Sequence, residues 1–251
     1  MIAHFLVIFL SLSSFVFGAE EKPKVPPSQV IAPTQGTFTT SDGVTIVYDH
    51  YSAPTKARGV LLLHMLGAGR RDWQAVAEEL VKEGVGVMVI DFRGHGDSLK
   101  KHDQPIFYRE FKNPDWIAVL GDVRAAVKEM KSLNYEIIEI GGASIGANIA
   151  LAYAAEDSTI QRVALLSPGL NYHGFYSMDS IKKYKNPLWI AVSKEDVSSY
   201  MASQKLYQNG PQDTEHKSIL IVDGKGHGTR MLPDPKVLKS LTQFFSSVNA
   251  R

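Results

Sequence analysis

Continuous apolar runs and amphipathic stretches alternate along most of this chain, and that alternation predicts its elements. "GTFTT" and "VTIVYDHYS" flank Asp42 and Gly43, a turn pair of the kind that closes an antiparallel hairpin. "GVLLLHM" is then apolar without interruption, as in a strand covered on both faces. Trp73, Val76, Ala77, Leu80 and Val81 recur at helical spacing. "VGVMVIDF" reads as a second buried strand, and Trp116, Val119, Leu120, Val123, Val127 and Met130 mark another amphipathic helix. "EIIEIGGA" runs straight into the small-residue stretch "NIALAYAA". "RVALLSPG", "PLWIAVSKED" and "KSILIVDGKGHG" are three further strand candidates, and Val237, Leu238, Leu241, Phe244, Phe245 and Val248 mark a closing helix. Strands alternating with helices predict an α/β fold: a mainly parallel twisted sheet of about eight strands, helices on both faces, and an N-terminal β-hairpin. In such sheets ligands bind beyond the carboxyl ends of the strands.

The pattern changes at the N-terminus. Residues 1–18, "MIAHFLVIFLSLSSFVFG", carry no Asp, Glu, Lys or Arg and have the apolar core of a signal peptide. Val16 and Gly18 are small enough for the positions a signal peptidase reads, which places a cut before Ala19 and the product in the periplasm or outside the cell. No Lys or Arg stands near Met1, so an uncleaved membrane anchor is the alternative. Residues 19–36 are rich in proline and polar groups and read as a tether. The folded domain is expected over residues 37–251.

Composition narrows the chemistry. A net charge of +1 without a Lys/Arg block gives no electrostatic footprint for nucleic acid. There is no cysteine, which removes disulfides, thiolate nucleophiles and cysteine-based zinc sites. No cofactor is expected: the strand-to-helix corner has Ala143 where a dinucleotide fingerprint needs its middle glycine, and no G-K-[ST] ending cradles a phosphate. Asp91 and Asp97 lie near His95, but no second histidine at helical spacing supports a metal, so none is expected.

What remains is Ser144, alone at the corner between Gly142 and Gly146. This G-x-S-x-G pattern suits a serine held at φ > 0, whose neighbours two positions away must let strand and helix backbones approach closely. A serine hydroxyl needs a base, and the base needs a group that fixes its tautomer. Asp196 and His227 stand just past two predicted strands, in the chain order Ser, Asp, His. Asp196 is preferred to its neighbour Glu195, whose competing role is a solvated charge. Among the other histidines, His4 goes with the export segment, and His50, His102, His173 and His216 lack a glycine-flanked strand-end setting and read as surface residues.

On "GASIG", "SKED", "GKGHG", "DFRGHGDS" and "LLLHMLGAGRRDW", the chain resembles the α/β-hydrolase superfamily over residues 37–248. The resemblance implies Ser144, Asp196 and His227 as catalytic residues and the backbone N–H groups of Leu66 and Ile145 as an oxyanion hole. "HM" replaces the usual "HG" before Leu66, which keeps Met65 open as the alternative. His64 and His95 match positions where the family's histidine bonds backbone. Arg93 and Asp122 read as fold-stabilising polar groups, and Arg70-Arg71 as a solvated face rather than a contact for an anionic substrate.

The expected reaction is acyl transfer to water, with a small-molecule ester or an acylated polymer as substrate. Only residues 170–185 separate "LLSPG" from "NPLWI", too few for a helical cap, so the cleft is expected to be open and suited to short-chain or aromatic esters. Tyr172, Phe175 and Tyr176 are candidates for one wall, or for loop core. A peptidase or acyltransferase would use the same residues, and a non-catalytic binding protein of this fold is the reading from a different class.

Overall fold

The computed structural model describes residues 32–212 and 216–247. The export segment, residues 19–31 of the tether, and Val248 lie outside the described residues.

Strands β1 (Thr34–Thr39) and β2 (Val44–Tyr51) form the antiparallel hairpin, and β3 (Arg58–Leu63), α1 (Gln74–Lys82) and β4 (Gly86–Ile90) follow. Two short strands, β5 (Lys100–Lys101) and β6 (Gln104–Pro105), precede α2 (Asn113–Ala118) and α3 (Leu120–Ser132). Next come β7 (Ile137–Ala143), α4 (Ile145–Glu156) and β8 (Ile160–Leu166). A small hairpin of β9 (Asn171–Tyr172) and β10 (Phe175–Tyr176) leads to α5 (Ser177–Lys183) and β11 (Leu188–Ser193). The chain closes with α6 (Val197–Asn209), β12 (Lys217–Val222) and α7 (Pro235–Ser246).

One sheet collects all strands but β9 and β10, in the order β12-β11-β8-β7-β3-β4-β2-β5-β6, with β1 also on β2. The strands from β12 to β4 are mutually parallel, whereas β2 runs antiparallel to β4. The long strands match the expected count, and β7 lies in the middle of the parallel set. β1 begins inside the stretch read as tether: Thr34 to Gly36 pair with His50 to Tyr48. These residues join through backbone ladder bonds and carry no apolar side chain, so no hydrophobic pattern announced them.

The unbroken apolar runs have a simple cause. Along β3 and β4, Leu61, Leu63, Met88 and Ile90 enter one core while Val60, Leu62, Val87 and Val89 enter the other, and all are fully buried. Helices α1 and α7 supply the second core through Val76, Leu80, Val237, Leu241 and Phe245; α3 and α4 supply the first through Val123, Val127, Ile149 and Leu151. Helix α4 is buried nearly all round, which is why its sequence lacks a polar face. The single amphipathic helix expected over 116–130 is two helices. At Val119 the bonding tightens to i→i+3 steps, Val119 N–H to Trp116 and Asp122 N–H to Val119.

Buried charge ties the elements together at both ends of the sheet. Glu139, in the middle of β7, accepts two 2.9 Å hydrogen bonds from Arg58, and Arg162 approaches at 3.4 Å. Both arginines also donate to the last carbonyls of α7, where a cation suits the helix dipole. At the opposite end Arg93 Nε donates to Asp122 at 2.8 Å and Nη1 to Asp42 at 2.8 Å, joining the loop after β4 to α3 and to the hairpin turn. Arg93 and Asp122 therefore stabilise the fold, as their sequence setting suggested.

Arg93→Met would leave the Asp122 carboxylate buried without its partner. It is expected to cost about 3–5 kcal/mol in urea unfolding, and the double variant Arg93→Met/Asp122→Leu should recover much of that loss.

Candidate active site

Ser144 stands where β7 stops and α4 begins, with φ 54° and ψ −120°. Its two glycine neighbours are sterically required. A Cβ on Gly142 would collide with the backbone of Gly146, and a Cβ on Gly146 would lie 2.5 Å from the carbonyl oxygen of His64. Helix α4 thus starts in backbone contact with the end of β3, and the serine is lifted to the rim between them.

Three of the residues expected from sequence are brought together. His227 Nε2 lies 2.8 Å from Ser144 Oγ, and His227 Nδ1 lies 2.6 Å from Asp196 Oδ2. The carboxylate side chain is 13% exposed and the imidazole 32%, so the far partner is shielded while the ring faces the opening. Glu195 is turned outward and faces Lys225 at 3.8 Å, the solvated role assigned to it.

The loop carrying His227 is fixed at several points. Gly228 N–H donates to Ser167 Oγ at 3.0 Å, Ser193 Oγ donates to the Gly226 carbonyl, and Thr229 Oγ1 donates to Asp72 at 2.9 Å. Sequence reasoning missed Ser167, Ser193 and Asp72. Their signal was weak: two serines at strand ends and one acid in a turn look like ordinary loop chemistry. Met65 also acquires a role, because a Cβ on Gly228 would stand 3.0 Å from its sulfur. The methionine that departs from the "HG" pattern packs against the histidine loop.

His64 orients the loop after β3. Phe92 N–H donates to its Nε2 at 3.0 Å, so the ring proton must be on Nδ1, which donates to the Met65 carbonyl at 2.8 Å. Ala68 N–H donates to the same carbonyl at 3.1 Å. In a trans peptide the following N–H points the opposite way, so Leu66 N–H faces away from His64. Neither it nor Ile145 N–H, at the start of α4, has a hydrogen-bond partner among the described residues. Both are free to meet a developing negative charge; the Met65 N–H also has no hydrogen-bond partner among the described residues, so Leu66 and Met65 both remain open as the donor from this loop.

Two readings of nearby residues need correction. Arg70 is buried and paired with Asp49 at 3.0 Å, Asp97 at 2.8 Å and Asp91 more closely still; only Arg71 is exposed. The pair is therefore split between an internal ion cluster and the surface, a distinction that adjacency in sequence hides. His50, expected at the surface, is half-buried with Nε2 at 2.8 Å from the Tyr135 hydroxyl. Of the three aromatics proposed as a wall, Phe175 is core, while Tyr172 is half-buried and Tyr176 exposed.

With this geometry in place, comparison with known proteins is informative. Residues 54–183 match the family model described as serine aminopeptidase, S33. No curated protein matches the sequence significantly. Among solved structures, the chain is similar to the Pyrococcus furiosus esterase Pf2001, at 20% identity and TM-score 0.70 over 91% of this chain and 97% of that one. It is also similar to a dienelactone hydrolase from Anabaena variabilis, at 19% identity and TM-score 0.65 over 86% and 96%. Est1E from Butyrivibrio proteoclasticus, seen with ferulic acid bound, shares 18% identity at TM-score 0.65 over 82% and 94%. These likenesses show the fold.

Burial sets the charge state of three histidines. It pushes His64 below the ordinary 6.5, and burial together with neighbouring His64 brings His95 down to about 3. Burial and Lys56 bring His50 to about 4. All three are neutral in the folded chain where the unfolded chain has begun to protonate. The stability they contribute is complete above about pH 6.5 and is lost as pH falls toward their folded values, by up to about 1.4 kcal/mol per pH unit for His95. Thermal unfolding followed from pH 8 to pH 4 should show stability dropping below about pH 6.5, with a shallower slope in His95→Asn.

Proposed function

Because the chain belongs to the serine aminopeptidase S33 family of α/β-hydrolases, we propose that it is a serine hydrolase cleaving carboxylic esters, short-chain or aromatic, through an acyl-enzyme on Ser144. The observation that carries this reading is the continuous hydrogen-bonded path from Ser144 Oγ through the His227 ring to Asp196. His227 takes the hydroxyl proton at Nε2 while Ser144 Oγ attacks the ester carbonyl carbon. Asp196 holds Nδ1–H and stabilises the imidazolium. Leu66 and Ile145 N–H groups receive the tetrahedral oxyanion, each worth about 2.7–4 kcal/mol in the transition state. Proton transfer from Nε2 to the alkoxide releases the alcohol, and water repeats the sequence to free the acid.

The esterase and hydrolase neighbours support ester cleavage, and the ferulic acid bound to one of them agrees with an aromatic acyl group. The family description favours a second reading, a peptidase using the same three side chains. The substrate would be a small ester or an acyl group on a polymer, reached after export with residues 1–18 removed before Ala19.

A fluorophosphonate probe is expected to label Ser144 and to leave Ser144→Ala unlabelled. On p-nitrophenyl esters, Ser144→Ala should lose about 10⁴-fold or more in kcat and Asp196→Asn about 10³–10⁴-fold. Glu195→Gln should stay within about twofold. Faster turnover of aminoacyl anilides than of any ester would replace the esterase by the peptidase. For export, mass spectrometry of the protein recovered outside the cytoplasm should find Ala19 at its N-terminus; an intact Met1 would indicate the anchored form.

A further inference from the structure

Among the described residues, five of the seven exposed large apolar side chains lie in the connections that follow β3, β4 and β8. Leu66 follows β3, Phe107 and Ile117 follow β4, and Leu170 and Tyr176 follow β8. Val197 and Met201 are separate, in the first turns of α6 beyond Asp196. A single exposed apolar residue is ordinary, but several in connections that pack on one another mark a surface that meets something apolar.

The first group is joined by a row of rings. Tyr108 stacks on His95 with centroids 4.0 Å apart, His95 meets the edge of Trp116 at 6.2 Å, and the exposed His173 lies flat on Trp116 at 4.2 Å. At one end of the row, Tyr108 Oη is 3.1 Å from the position of a Cβ on Gly67, beside Leu66. At the other, Ile117 is 3.0 Å from the Cβ position of Gly174. The row is also tied to the serine's own helix. Asn148, one turn beyond Ser144, donates to the carbonyls of Gly169 and Phe175 and accepts from Gly169 N–H, all at 3.0 Å.

Chemistry orients a substrate on this surface. His227 Nε2 must hand its proton to the leaving oxygen, so the alcohol part lies on the His227 side. An acyl part leaving Ser144 on the side away from His227 and under the Leu66 N–H would next meet Tyr108, which adjoins Gly67. We propose that this flank is an acyl-binding subsite for an aromatic acyl group of the benzoyl or cinnamoyl class, with Tyr108, His173, Ile117 and Leu170 as its specificity-determining residues; the assignment rests on the ester-hydrolase reading. A flat, rigid ring suits a flank whose exposed side chains, His173, Ile117 and Leu170, and half-buried Tyr108 are backed by the buried rings of His95 and Trp116, since it gains contact and loses little conformational freedom on binding. A flexible alkyl chain would lose more for the same contact.

Two exposed residues outside the proposed reaction machinery provide the test: Ile117→Asp and Leu170→Asp, each checked for folding by circular dichroism. With p-nitrophenol as the common leaving group, kcat/KM for the cinnamate ester is expected to fall about tenfold or more, and that for the acetate to stay within about twofold. Calorimetric titration of Ser144→Ala protein with methyl cinnamate should show binding that Ile117→Asp weakens to a similar extent. Equal losses on both esters, or no loss on the cinnamate, would overturn the subsite. If the wild type hydrolyses acetate while the cinnamate ignores both substitutions, the subsite falls and the hydrolase stands. If Ser144→Ala binds methyl cinnamate through Ile117 but the wild type cleaves neither ester, the hydrolase reading and the acyl role fall, and the flank stands only as an aromatic-binding surface.

Discussion

At the junction of β7 and α4 the backbone is held where an L-residue rarely goes, because helix and neighbouring strand touch through their main chains. Ser144 keeps φ 54°, a conformation that costs about 1–3 kcal/mol for a residue other than glycine. Its surroundings leave it no relaxed alternative. Gly142 and Gly146 admit no side chain, β7 lies between β3 and β8 in the middle of the parallel strands, and α4 is buried on nearly every side. The packing of two cores against both faces of the sheet supplies the free energy that holds the strain. Each later feature of the site, from the hydroxyl facing His227 to the free N–H of Ile145, depends on this corner.

The remaining groups reach the corner on loops, and loops are ordinarily the mobile part of a fold. Here hydrogen bonds to polar groups of neighbouring elements restrain them. The His227 loop is held by Ser167, Ser193 and Asp72, the loop after β3 by His64, and the β9–β10 hairpin by Asn148. None of these groups needs to touch a substrate. Their effect is to keep an imidazole within hydrogen-bond reach of both a hydroxyl and a carboxylate, a placement in which small displacements matter greatly.

The polar interior beneath the site follows the same logic. Carboxylates and guanidiniums are buried only as partners, Arg70 among Asp49, Asp91 and Asp97, and Arg93 between Asp42 and Asp122. Histidines are buried as neutral rings, since an imidazolium there would lack compensation. Among the described residues the buried His95 Nε2, like four other buried side-chain atoms, has no hydrogen-bond partner, and its ring is held instead by stacking on Tyr108.

Much of this could be read along the chain. Apolar runs with no polar alternation announced strands with two covered faces, as Leu61 and Leu62 entering opposite cores bear out. Glycines two positions either side of Ser144 announced the close approach, because only a missing side chain allows it. Such features are local, set by sterics and periodicity within a few residues, and sequence alone determined them. Other properties were decided by tertiary structure. Arg70 and Arg71 are adjacent and alike, yet one is interior and the other in water, because residues as distant as Asp49 and Asp97 come to meet only the first. Glu195 and Asp196 differ likewise in which of them faces His227. The strand at Thr34 and the row of rings beside Leu66 both arise from partners far away in the sequence. Periodicity can say that a residue is apolar or charged, but not which distant group the folded backbone will bring within three ångströms of it.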